Sequence, residues 1–203
     1  YSLLYSCPGG KNSSKACPEG YYNDRTGQSD VGDCQECPAG FYCPDKGQSP
    51  KPCDVGFYSN STGQIKCLIC PEGFRCENLA SKPTPCAEGF YSAEGNTTCT
   101  ICPGGYQCPN GISPVVCPTG QFASIGSTSC KACPAGHRCP RQGMSAPESC
   151  PDGQYTNQTL QTGCNTCEAG RECPNGDRSL SCPAGYFSKY GQSNCTACQS
   201  GEY

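Results

Sequence analysis

Six C-x-x-C pairs are the groups in this chain whose type and spacing could do chemistry: Cys34/Cys37, Cys67/Cys70, Cys99/Cys102, Cys130/Cys133, Cys164/Cys167 and Cys195/Cys198. Thiols at that spacing serve three purposes. Two pairs suitably placed hold a tetrahedral zinc ion. One pair at a helix N-terminus, with a depressed thiol pKa, runs redox exchange. In an oxidising compartment such pairs belong to a disulfide framework. The surroundings favour the third use. Each pair is preceded by an opening cysteine (Cys17, Cys53, Cys86, Cys117, Cys150, Cys182), and five are followed by another (Cys43, Cys76, Cys108, Cys139, Cys173). No window carries the sustained 3.6-residue periodicity of a helix on which a reactive thiol would sit.

Other reactive constellations are missing from the sequence. His137 is the one histidine, standing where other repeats have Phe41-Tyr42 or Phe74, and is read as a solvent-facing loop ring. No G-x-S-x-G elbow and no D-x-[DN]-x-[DN]-G calcium loop occurs. Glu19, Glu72, Glu88 and Asp152 recur inside C-x-x-G turns, as solvated turn residues do. The expectation is therefore no catalytic residue, no metal ligand, no cofactor and no enzymatic activity.

The elements that position the cysteines are repeats. The template is C-P-x-G-x-aromatic, a polar Gly-containing stretch, C-x-x-C, five residues and C. Its opening cysteines lie 36, 33, 31, 33 and 32 residues apart, which marks a linear array of small units. The boundaries read from it are 17–52, 53–85, 86–116, 117–149 and 150–181, followed by a truncated repeat at 182–203. Residues 1–16 read as the end of a preceding repeat. Cys7 precedes Cys17 by the usual spacing and Cys198 is followed by too few residues for its own partner, so the chain reads as a window on a longer array.

Composition agrees with a crosslinked array rather than an oil-drop core. Leu, Ile, Val and Phe together number 21 of 203 residues, while cysteines number 24. So few large apolar residues would ordinarily mean disorder, but disorder goes with a high net charge, and here it is −3. Crosslinks replace buried apolar area. With 26 Gly and 19 Pro, long helices and broad sheets are excluded, leaving strands of two to four residues such as those at Tyr21-Tyr22 and Phe57-Tyr58. The fold class expected is small disulfide-rich repeats, mostly irregular with short β-hairpins, stacked into an extended rod or solenoid. An aromatic lies five residues after each opening cysteine (Tyr22, Tyr58, Tyr91, Phe122, Tyr155, Phe187) and is expected to cover the disulfides as a miniature core. A glycine near the end of each long loop (Gly27, Gly63, Gly95, Gly126, Gly163, Gly191) serves the reversal.

With the four cysteines of a repeat named a, b, c and d, three pairings are open. The favoured one joins a to b and c to d, as in Cys53–Cys67 with Cys70–Cys76. Closing the longer loop is then worth about 3 kcal/mol. It leaves Cys7 and Cys198 without partners. The alternative joins b to c, and d to the next a as in Cys43–Cys53, and pairs every cysteine.

Location outside the cell, or on its surface, follows from the cysteine density and from five N-x-S/T sequons at Asn12, Asn60, Asn96, Asn157 and Asn194. Four of these asparagines fall in the a–b loops, where a glycan can be accommodated. Asn194 competes with oxidation of Cys195, and Asn165-Thr-Cys167 is a weaker variant. No stretch reaches the apolar length of a membrane span. The 14 Lys and Arg are scattered, which argues against nucleic acid and anionic membranes as partners.

The pattern at Cys53-Asp-Val-Gly-Phe-Tyr-Ser through Cys67-Leu-Ile-Cys-Pro-Glu-Gly, repeated at Cys86-Ala-Glu-Gly-Phe-Tyr-Ser and Cys182-Pro-Ala-Gly-Tyr-Phe-Ser, resembles the ephrin-receptor-like cysteine-rich repeat. The a–b half is also similar to the first module of tumour-necrosis-factor-receptor cysteine-rich domains, a resemblance that supports a–b pairing. The added d cysteine and the linker prolines, as in Ser49-Pro-Lys-Pro-Cys53 and Lys82-Pro-Thr-Pro-Cys86, depart from that pattern. Long arrays of this variant resemble large surface proteins of protists and algae, including mastigoneme-type fibrous glycoproteins. The linkers are expected to be polyproline-like spacers between crosslinked knots. The resemblance implies a structural glycoprotein of a filament or cell-surface appendage, with N-linked and further O-linked glycans and self-association. A receptor or adhesion ectodomain with a protein or glycan ligand is the competing reading.

Overall fold

In the computed structural model, residues 16–23, 31–45 and 49–199 are described. Among them there is no α-helix, and one short 3-10 turn spans Val31–Asp33. All other regular structure is a series of eleven two-stranded sheets, each joining strands adjacent in the chain. Every strand is two residues long, and pairing is antiparallel, as in Phe57↔Ile69 with Tyr58↔Leu68. The protein is thus an array of small disulfide-rich hairpins. They span 17–37, 37–53, 53–70, 70–86, 86–102, 102–117, 117–133, 133–150, 150–167, 167–182 and 182–198, and are called hairpins 1 to 11 in that order.

One local rule makes all of them. Each begins with C-x-x-G, and in ten of them the residue after the glycine donates its N–H to the carbonyl of the residue after the cysteine. Examples are Phe41 to Pro38 at 3.1 Å, Phe57 to Asp54 at 3.0 Å and Gln154 to Pro151 at 3.0 Å. The glycine occupies the third turn position with φ between 75° and 87° in all eleven hairpins, the left-handed region a type II turn demands. Its own carbonyl then accepts the N–H of the cysteine that closes the hairpin, as for Gly40 and Cys53 at 2.9 Å. That cysteine opens the next hairpin.

The structural period is therefore one hairpin every 15 to 20 residues, half the covalent period of about 33. Odd-numbered hairpins carry the a–b loop. Even-numbered ones carry c, d and the segment expected to be a polyproline spacer. That segment is the return strand: Lys51–Pro52 pairs with Phe41–Tyr42, and Thr84–Pro85 with Phe74–Arg75. Proline is tolerated because a sheet of two strands is all edge, and its missing donor can face away from the partner.

The interior is sulfur. Cys17, Cys37, Cys43, Cys70, Cys102, Cys117, Cys133, Cys139 and Cys167 are all 0% exposed, and among the described residues the only buried apolar side chains that are not cysteine are Ala123 and Met144. Met144 lies on the Cys133–Cys139 pair with half-buried Phe122 against them. The six aromatics do not form the expected core. Tyr22, Tyr58, Tyr91, Phe122 and Tyr155 are half-buried, and Phe187 is exposed. A hairpin two residues wide has no second layer with which to enclose a ring, whereas a cystine lies within its own turn.

Contacts divide the chain into two compact units. The first runs to Ala87 and takes in Tyr91–Thr100 and Gly111–Ser113; the second holds Glu88–Phe90, Ile101–Asn110 and Pro114 onward. Each unit is built from the same hairpins by the same rules.

Candidate functional site: a repeating backbone ladder

The disulfides of the array run from a to b and from c to d. The a–b bonds are Cys17–Cys34, Cys53–Cys67, Cys86–Cys99, Cys117–Cys130, Cys150–Cys164 and Cys182–Cys195. The c–d bonds are Cys37–Cys43, Cys70–Cys76, Cys102–Cys108, Cys133–Cys139 and Cys167–Cys173. Their Cα separations, 5.7 to 6.1 Å, lie in the relaxed range for a cystine. Neither b–c nor d–a bonds occur. Cys198 is the one free thiol among the described residues; it is half-buried, and its N–H closes hairpin 11 on Gly185 at 2.8 Å. Cys7 lies outside the described residues.

The residue seven places into each hairpin, counting the opening cysteine as one, carries the connection between hairpins. It is Cys43, Cys76, Cys108, Cys139 or Cys173 in the even series, and Asn23, Ser59, Ser92, Ala123, Thr156 or Ser188 in the odd series. All eleven are buried. In the first unit three turn glycines donate to the carbonyl of this residue in the next hairpin, whereas Gly56 makes no such bond to Cys76. Gly20 donates to Cys43 at 3.1 Å, Gly40 to Ser59 at 2.8 Å and Gly73 to Ser92 at 2.8 Å. The same residue sends its own N–H one hairpin further on: Cys43 to Gln64 at 2.9 Å, Ser59 to Leu79 at 2.8 Å and Ser92 to Gly111 at 2.8 Å. The second unit repeats this with Gly105 to Ala123, Gly120 to Cys139, Gly136 to Thr156 and Gly170 to Ser188, at 2.7 to 3.0 Å. Its onward bonds include Ala123 to Met144 at 3.0 Å, Cys139 to Gln161 at 2.8 Å and Thr156 to Gly176 at 2.8 Å.

A third bond comes from the loops. Gly63 donates to the carbonyl of Cys37, Gly95 to Cys70, Gly126 to Cys102 and Gly191 to Cys167, each at 2.8 Å. In hairpin 9 this position is held by Leu160 (φ 65°), which donates to Cys133 at 2.9 Å, rather than by Gly163. Gly27 lies outside the described residues. These loops also reach two hairpins back. A Cβ on Gly20 would collide with the carbonyl of Gly63, one on Gly56 with that of Gly95, and one on Gly153 with that of Gly191. The turn glycines thus satisfy two separate demands, a left-handed φ and close backbone approach. Within each unit, hairpins are tied to neighbouring hairpins by backbone bonds that do not depend on side-chain identity.

The expected sequon asparagines divide by accessibility. Asn96, Asn157 and Asn194 are exposed and Asn60 is half-buried; Asn12 lies outside the described residues. The Thr62 hydroxyl of the Asn60 sequon donates to the Glu36 carboxylate. Asn194 lines a polar cleft of about 360 Å³ with Asp152, Gln154, Asn175 and Ser193. His137 is a half-buried strand residue, not a loop ring: it pairs with Ser149, and its Nδ1 lies 3.2 Å from the Ala135 carbonyl.

Charge is local. Glu148 receives both Arg141 at 2.8 Å and Arg138 at 3.4 Å, and Lys51 pairs with Asp45 at 3.7 Å. Such surface pairs each contribute little. Among the described residues no group of three His, Cys, Asp or Glu side chains is placed to hold a metal, and no helix is long and apolar enough to cross a membrane.

Sequence reasoning overlooked the seventh position and the ladder it carries. The signal was there: C-x-x-G-x-x followed by Cys, Ser, Thr, Ala or Asn recurs at every hairpin, but only five of the eleven occurrences end in cysteine. No family model matches the chain, and no curated protein matches it in sequence.

Proposed function

We propose that this chain is a load-bearing segment of an extracellular, N-glycosylated filament or cell-surface appendage. Its role is mechanical rather than catalytic, and its repeats are of the ephrin-receptor-like and tumour-necrosis-factor-receptor-like kind. The observation that supports this most is the uniformity of the ladder. The left-handed turn glycine, the closing bond to its carbonyl and a cystine recur in all eleven hairpins, and seven of the turn glycines also donate to the seventh residue of the next hairpin. A ligand-binding ectodomain concentrates unusual side chains in one or two modules, whereas a strut repeats one joint. Disulfide density suits an oxidising exterior. Glycans on Asn96, Asn157 and Asn194, with Asn60, would coat the loop tips, and self-association would extend the strut.

Negative-stain electron microscopy of the native material tests the reading. Fibrils or hair-like appendages that label with antibody to this segment are expected; discrete monomeric particles would overturn it. Enzymatic release of N-glycans from the same material, followed by peptide mapping, reads out the sequons separately.

A further inference from the structure

Even-numbered hairpins 4, 6 and 10 place an asparagine at equivalent points: Cys76-Glu77-Asn78-Leu79, Cys108-Pro109-Asn110-Gly111 and Cys173-Pro174-Asn175-Gly176. All three asparagines are exposed. In all three the carbonyl of the following residue accepts a ladder bond, from Ser59 to Leu79, Ser92 to Gly111 and Thr156 to Gly176, each at 2.8 Å. The three differ in what surrounds the amide. The Asn78 side-chain oxygen accepts the Ala80 N–H at 2.9 Å, and Leu79 sets a branched side chain beside its own nitrogen. Asn110 and Asn175 are each followed by glycine. Among the described residues their side chains make no hydrogen bond, and the nitrogens of Gly111 and Gly176 donate to no backbone carbonyl.

We infer that Asn110-Gly111 and Asn175-Gly176 are sites of spontaneous covalent self-modification, in which the array records its own age. The chemistry needs only water. The nitrogen of the following glycine attacks the asparagine side-chain carbonyl carbon. A C–N bond forms to close a five-membered succinimide, the bond to the side-chain nitrogen breaks, and that nitrogen leaves as ammonia with the proton from the glycine N–H. Water then opens the ring at either carbonyl, giving aspartate or isoaspartate. Three things must coincide: a side chain free to turn, a nitrogen not held in a hydrogen bond, and no Cβ shielding it. Both Asn-Gly pairs meet all three; Asn78 meets only the second, its side chain being held by the Ala80 N–H and the Leu79 nitrogen shielded by a Cβ.

Position gives the reaction a structural consequence. Isoaspartate routes the backbone through the side-chain carbon, adding a methylene immediately before the glycine whose carbonyl holds the ladder. At Asn175 this moves the Gly176 carbonyl away from Thr156, and it adds a negative charge to a cleft that Asp152 also lines. Gly176 has no slack with which to compensate, being buried with its Cα facing the Cys150 Cβ and the Gln154 carbonyl. The inference stands on these residues alone and does not rest on the filament reading.

The test uses the full oxidised chain, incubated in mildly alkaline buffer and sampled over time. Isoaspartyl methyltransferase labelling and peptide mapping read each site as a gain of about one dalton. Asn110 and Asn175 are expected to convert roughly tenfold or more faster than Asn78 and the exposed loop asparagine Asn157. Equal rates, or no conversion in the folded chain, would overturn the inference. Amide hydrogen exchange supplies the second readout. Aged protein should lose protection at Thr156 and keep it at Cys139, while Asn175→Gln keeps both. Conversion at residue 175 with Thr156 still protected would sink the proposed link to the ladder.

Discussion

Odd and even hairpins solve one problem with different chemistry. In an even hairpin the cystine joins the first and seventh residues, as in Cys70–Cys76, six apart in sequence, and both sulfurs are buried. In an odd hairpin the first cysteine instead reaches past the loop, as in Cys53–Cys67, fourteen apart, and the far sulfur is half-exposed. The seventh position is then left to Ser, Thr, Asn or Ala. Turn and strand pair are the same in both, while the bond from the preceding turn glycine reaches the seventh residue of hairpins 3, 5, 7, 9 and 11 but, in the even series, only Cys43 and Cys139. The comparison teaches that the turn glycine and the closing bond to its carbonyl define the hairpin, and that the crosslink can be moved so long as something small and buried fills the seventh place.

The strongest way to break this equivalence is at a turn glycine, which both series share. Gly105→Ala places a methyl against the Gly143 carbonyl and forces alanine to φ +86°. A loss of at least about 4 kcal/mol is expected, seen as failure to secrete the oxidised protein. Gly63→Ala carries the φ penalty alone, since nothing lies within 4 Å of its Cβ, and should cost about 1 kcal/mol in denaturant unfolding. If the two variants lose equal stability, close approach has no part in the fold.

Next in size is removal of a disulfide. Loop closure alone ranks the two types one way, with about 3 kcal/mol for the Cys53–Cys67 bond and about 2 kcal/mol for Cys70–Cys76. Burial reverses the order, because emptying two enclosed sulfur sites leaves a cavity worth about 2 kcal/mol more. Cys70→Ala with Cys76→Ala should therefore lower the urea midpoint further than Cys53→Ala with Cys67→Ala. The opposite order would show that chain entropy, not packing, ranks the bonds.

The smallest effect belongs to the seventh position itself. Ser92 is 0% exposed, and its hydroxyl donates to the Ala93 and Thr98 carbonyls at 3.3 and 3.4 Å. Ala123 holds the same place without a hydroxyl. Ser92→Ala should cost about 1 kcal/mol or less in thermal unfolding, whereas Ser92→Leu should not fold.

Much of this could be read before any coordinates. Cysteine spacing announced the repeat, and the Gly and Pro content excluded broad sheets. The short Pro-x-Gly loop between Cys70 and Cys76 favoured c–d pairing over its rivals. What stayed hidden has physical reasons. Proline in Thr84–Pro85 argues locally for a spacer, and only the finding that each sheet has two strands removes the objection to a strand there. Rings at Tyr58 and Phe187 attract attention as core because they are large, yet sulfur already fills the enclosed volume. The ladder runs through backbone atoms, on which side-chain patterns are silent, and its one side-chain mark alternates between cysteine and Asn, Ser, Ala or Thr, disguising a short period as a long one. Even the loop glycine misled at Gly163, because Leu160 had taken its conformation.

The crosslinks also decide what happens when the chain is pulled from its ends. Tension takes the shortest covalent path, entering at an a cysteine, crossing its disulfide to b, passing two residues to c and crossing again to d. It then follows the return strand to the next a. The loops within Cys53–Cys67 and Cys70–Cys76 lie off that path and bear no force while the sulfurs stay joined. The loop tips would ride unloaded on a taut line, and the prolines of Lys51–Pro52 and Thr84–Pro85 sit in the stretches that stiffen first. Extensibility is thereby placed under chemical control: a reductant pays out the stored loops, and an oxidant locks them away.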